Sequence, residues 1–93
     1  MSLVQQRNQL AGEFRELARQ IDKLHGTPHG SAHLDAATHA RWETIYGNDA
    51  TNVLTNRSIL NDHPATVDSD KLSEWIADAK RILPDAQGNL PPR

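Results

Sequence analysis

Ninety-three residues make one small domain at most, and 10 Lys plus Arg against 12 Asp plus Glu leave a formal net charge of -2. That balance excludes a strongly basic nucleic-acid binder and a strongly acidic mimic of nucleic acid. The chain has no Cys, which removes disulfides, thiolate metal sites and Cys nucleophiles from consideration.

No apolar stretch approaches the roughly 20 residues of a membrane span. Met1 to Arg7 likewise has no apolar signal-peptide core. The expectation is a cytoplasmic protein without membrane contact. The aromatic residues are Phe14, Trp42, Tyr46 and Trp75, so most burial must come from Leu, Ile, Val and Ala.

From Leu3 to Leu24 the apolar residues Leu10, Phe14, Leu17, Ile21 and Leu24 recur at alternating four- and three-residue steps, the seam of a packed helix. Leu3 extends that seam backward, with Arg7 in the position between Leu3 and Leu10. Ala11 and Ala18 flank it and allow close helix approach. His25-Gly26 followed by Pro28 stops the helix, since Gly accepts the left-handed conformation and Pro cannot continue the turn.

His25 to Leu34 reads as a turn-rich loop, after which Asp35 can cap a second helix carrying Trp42, Ile45 and Tyr46. Gly47-Asn48-Asp49 predicts a break or bend, with a further helix from Ala50 to Leu60. Continuity through Gly47 would cost about 1 kcal/mol. Asn61 to Pro64 is a second break. Asp68 then caps a helix striped by Leu72, Trp75, Ile76, Ala79, Ile82 and Leu83, with Val67 and Leu72 placed to form a hydrophobic staple. Pro84 ends it. The predicted architecture is all-α, a small bundle of three or four helices over residues 1–84, with residues 85–93 an extended, flexible Pro/Gly-containing tail.

Two constellations suggest function. His25, His29, His33 and His39 fall within fifteen positions, and neutral imidazole nitrogens ligate Zn, Ni or Cu. Asp35 is a possible further ligand of such a metal- or pH-responsive loop. The competing reading is that a polar surface loop simply tolerates His. The second constellation is the seam Arg7, Leu10, Phe14, Leu17, Ile21 and Leu24, a candidate surface for a protein partner or homodimer. Its competing reading is ordinary core. Arg7 in the seam calls for a carboxylate, across an interface if the seam is shared. Arg57 occupies a similar place in the second stripe, and an antiparallel hairpin would bring the two cations toward one end.

Catalysis finds little footing. Ser31, His39 and Asp35 lack the context of a nucleophile elbow, the Gly residues make no phosphate loop, and no cofactor is expected. Residues 1–47 carry five basic and five acidic groups and residues 48–93 five and seven, with no cationic helix face, which weighs against nucleic acid. The heptad-rich start followed by a Trp-bearing helix is broadly similar to small phage and mobile-element accessory proteins, many of which act by binding. No residue role is carried over from that similarity. The reading is a non-enzymatic interaction module: an adaptor, inhibitor or assembly protein. The alternatives are the metal- or pH-responsive His loop and, third, a weak nucleic-acid binder.

Overall fold

Three helix-start signals set the frame of the computed structural model, which describes residues 2–27 and 33–92. Ser2 accepts from the Gln5 amide while the Gln5 side chain accepts from the Ser2 amide, a reciprocal capping box that opens α1, Leu3–Leu24. Asp35 accepts from the Thr38 amide at 2.7 Å and opens α2, Ala36–Asp62. Asp68 accepts from the Lys71 amide at 2.8 Å and opens α3, Ser69–Ile82. A single 3-10 turn, Pro64–Thr66, joins the last two. Among the described residues every regular element is helical.

Contacts at both ends fix the directions. Arg7 near the start of α1 bonds Pro64 and Val67, just past the end of α2, while His39 near the start of α2 bonds the Leu24 carbonyl. These two helices are therefore antiparallel. The Trp42 indole meets the Ile82 carbonyl at the end of α3, so α3 returns alongside α1. The buried layer comprises Ala11, Phe14, Ala18, Ile21 and Leu24 from α1, Trp42, Tyr46, Ala50, Val53 and Leu60 from α2, and Leu72, Ile76, Ala79 and Ile82 from α3. Alanines at Ala11, Ala18, Ala50 and Ala79 let the backbones approach. Val67 and Leu72 are both buried, as a staple at the entry to α3 requires.

The break expected at Gly47 is absent: α2 runs unbroken for 27 residues. Trp42, Tyr46, Ala50, Val53 and Leu60 all point into the core on one face, and tertiary packing outweighs the propensity cost of one Gly and a run of Asn and Thr. The further helix expected from Ala50 to Leu60 is thus the second half of α2. The C-terminal segment also differs from an extended tail. Asp85 accepts from the amides of Gln87 and Asn89, Leu90 packs against the core, and the Tyr46 hydroxyl donates to the Pro91 carbonyl at 2.7 Å. The chain thus folds back over the first half of α2.

Trp42 is fully buried, and its Nε1–H donates to the Ile82 carbonyl at 2.6 Å. Trp42→Ala should cost about 3–5 kcal/mol through the cavity it leaves. Trp42→Phe should still cost about 1–3 kcal/mol, because the buried carbonyl loses its donor. Urea denaturation of both variants checks this, and losses below about 0.5 kcal/mol would contradict the packing.

Hydrogen bonds from the Thr38 backbone amide hold the Asp35 carboxyl below its ordinary range. Its contribution to stability is therefore complete above the unfolded value of about 3.9 and is lost as pH falls through the lower folded value. Asn also caps well, so Asp35→Asn should fold and show a shallower loss of stability below about pH 4 in urea titrations. An unchanged acid limb would refute the assignment.

Candidate functional site

The six seam residues separate by environment. Phe14, Ile21 and Leu24 are buried, and Leu10 and Leu17 are half-buried against the same core, so these five pack within the chain's own bundle. Phe14 meets Trp75 with ring centroids 5.3 Å apart and tilted by 45°. Among the described residues Arg7 finds no carboxylate. Its Nε donates to the Val67 carbonyl at 2.9 Å and its Nη2 to the Pro64 carbonyl, acceptors at the entry to α3 and at the start of the 3-10 turn. Arg57 lies elsewhere, with Nη1 3.3 Å from Asp22 near the far end of α1, so the two cations do not converge.

Beyond the core, α1 overhangs. From Leu3 to Leu10 no residue is fully buried, and only Arg7 and Leu10 are partly covered. Leu3 is 82% exposed and Val4 67%, the largest exposures among the bulky apolar residues described. An unsupported two-turn helix end frays in water. Here the capping box satisfies the first amides and Arg7 ties the overhang to the 3-10 turn.

The histidines divide too. Pro28, His29 and Ser31 lie outside the described residues. His25 and His39 converge on Glu43, one turn after His39 on α2. Glu43 Oε1 accepts from His25 Nδ1 at 3.0 Å and from the Gly26 amide, and it stands 4.0 Å from His39 Nε2. His39 is buried, with Nε2 directed at the Leu24 carbonyl, so that nitrogen carries the proton. Both imidazole nitrogens that face this cluster are thus donors rather than free lone pairs. Gly26, at φ +79°, turns its amide toward Glu43. The arrangement closes the C-terminal end of α1: a carbonyl is taken by His39 and an amide by Glu43. Glu43 was missing from the sequence reading, although its spacing four residues after His39 was the available signal. Among the described residues no group of three His, Cys, Asp or Glu side chains is arranged to hold a metal ion.

Thr51 Oγ1 stands 3.4 Å from His25 Nε2, so hydroxyl, imidazole and carboxylate follow one another in the order of a nucleophilic triad. The hydroxyl, however, donates to the Gly47 carbonyl at 3.1 Å, the ordinary back-bond of a helical Thr. Of Ser31, His39 and Asp35, Ser31 lies outside the described residues, His39 bonds the Leu24 carbonyl and Asp35 caps α2.

His33 stands apart from this cluster. It borders a cleft of about 220 Å³ whose lining includes Arg19, Lys23 and Leu24 of α1 and Leu83 and Pro84 after α3. Gly88, at φ +82°, lies so close that a Cβ there would sit 2.5 Å from the His33 carbonyl oxygen. The folded-back C-terminal segment therefore packs against the backbone of His33, one of the residues that line the cleft. Arg19 pairs with Glu16 one turn earlier, and that hydrogen bond lowers the carboxyl's pKa and raises the guanidinium's.

Comparison of the chain with protein-family models, with curated proteins and with solved structures gives no match.

Removing the Glu43 carboxylate tests the His cluster. Glu43→Ala should cost about 1 kcal/mol, as one partly exposed hydrogen-bonded acceptor does. It should also speed hydrogen exchange at the Gly26 amide selectively. Unaltered exchange there would contradict the capping role.

Proposed function

We propose that the chain is a non-enzymatic protein-interaction module, an adaptor, inhibitor or assembly protein, that offers the first two turns of α1 to a protein partner. The observation that carries this reading is the overhang itself: Leu3 and Val4 stand in water on a helix end that is capped and tied down. A bulky apolar pair on a pre-ordered helical end suits insertion into a partner's groove, and pre-ordering lowers the entropy cost of docking. The occupant is a different protein rather than a second copy. Two side chains fall far short of the roughly 800 Å² per partner that a stable symmetric interface needs, whereas a groove can enclose the helix end and supply the rest. The support comes from the uncovered part of the seam, not from Phe14, Ile21 and Leu24.

The test is the double substitution Leu3→Asp with Val4→Asp. Both side chains are exposed, so global stability should change by no more than about 0.5 kcal/mol and the circular dichroism spectrum should stay helical. Cross-linking in cells should then identify a protein held by the wild type and lost from the variant. A partner retained by the double variant, or light scattering that shows a stable dimer heavier than the 10.3 kDa chain, would overturn the proposal.

A further inference from the structure

At the opposite end of α1 from the overhang, the cleft between Lys23 and Pro84 has a size and a chemistry of its own. Its volume of about 220 Å³ lies below the roughly 300–1,000 Å³ of small-molecule sites. It exceeds the roughly 150 Å³ cavity known to accept a benzene ring. One bulky side chain fits; a large cofactor does not. Leu24, Leu83 and Pro84 supply apolar surface, and Arg19, Lys23 and His33 supply donors. We infer that this cleft docks a short segment of a partner protein in which one bulky apolar side chain is flanked by carboxylates.

Charge decides among the occupants. The nearest α1 carboxylate paired to this group is Glu16, which holds Arg19 through two hydrogen bonds, Nε at 3.0 Å and Nη2. Lys23 and Arg19 together outweigh that single carboxylate. A second copy's overhang matches poorly, because α1 has no acidic residue in its first turn and its N-terminal end carries the positive pole of the helix dipole. Nucleic acid matches poorly as well. Two or three cations release few counterions, and the described lining offers no Trp, Tyr or Phe face on which a base could stack. The His33 side of the cleft is also set in advance. Asp85 gathers the amides of Gln87 and Asn89, and the turn it closes brings Gly88 against the His33 carbonyl, so docking needs little reorganisation.

The inference goes beyond the docking of the α1 overhang and does not depend on it. The probe is the blocked peptide Glu-Asp-Leu-Glu-Asp, titrated into the full ¹⁵N-labelled chain by NMR. Two controls replace its Leu with Ala and its acidic residues with Lys. Amide shifts should concentrate at Arg19, Lys23, His33 and Leu83, and should weaken with added salt. Both controls should bind at least about tenfold more weakly. Arg19→Glu with Lys23→Glu should abolish the shifts without loss of helicity, since both side chains are exposed. Glu16→Gln should tighten binding by about threefold, because it frees the Arg19 guanidinium for the peptide. Leu3→Asp with Val4→Asp should leave the titration unchanged, which separates this cleft from the overhang. Absence of shifts, equal binding of the Lys peptide, preferential binding of an oligothymidylate, or weaker binding by Glu16→Gln would overturn the inference.

Discussion

The hydrogen bond from the Trp42 indole to the Ile82 carbonyl joins the start of α2 to the end of α3, and much of the molecule's shape follows from that junction. It fixes where α3 stops, and hence where Leu83 and Pro84 emerge. One turn later on α2, the Tyr46 hydroxyl takes the Pro91 carbonyl and draws the C-terminal segment across the bundle. Gly88 is then brought onto the His33 carbonyl, where only a residue without Cβ fits at positive φ. Two aromatic side chains on one face of α2 thus organise the end of the molecule that holds the cleft.

That end shows why local sequence signals reach only part of the way. The limits of α1 and the start of α3 were legible because each carries its own cap and a regular apolar stripe, and those devices act within a few residues. The single long α2 was not. Its Gly47 and its Asn and Thr residues argue locally for a break, and the stripe that overrides them works only when α1 and α3 are there to cover it. The fold-back of residues 85–92 was invisible for a related reason. It depends on Tyr46, some 40 residues away, and a polar segment with Gly and Pro has no local pattern that distinguishes a docked turn from an extended one.

The candidate sites follow the same logic. A charge in an apolar seam suggested a carboxylate across an interface, but Arg7 is satisfied by two backbone carbonyls that flank the 3-10 turn, Pro64 and Val67. A cluster of histidines suggested metal, but His25 donates to Glu43 and His39 to the Leu24 carbonyl, and together they close the end of α1. Arg7 and His39 take backbone carbonyls, which no residue pattern announces, whereas His25 takes the Glu43 carboxylate. What the bundle leaves uncovered is smaller and lies at its two ends: an apolar helix tip at Leu3 and Val4, and a cation-lined cleft beside His33. The two lie about 30 Å apart along α1 at 1.5 Å per residue.

Hydrogen exchange at the Trp42 indole Nε1–H tests the organising junction most directly. If that group is bonded to Ile82 inside the core, it exchanges only through global opening, at a rate matching the most protected backbone amides of α1 and α3. Exchange as fast as that of an unprotected indole would mean that the end of α3 is not fixed by α2, and the cleft built on that junction would lose its basis.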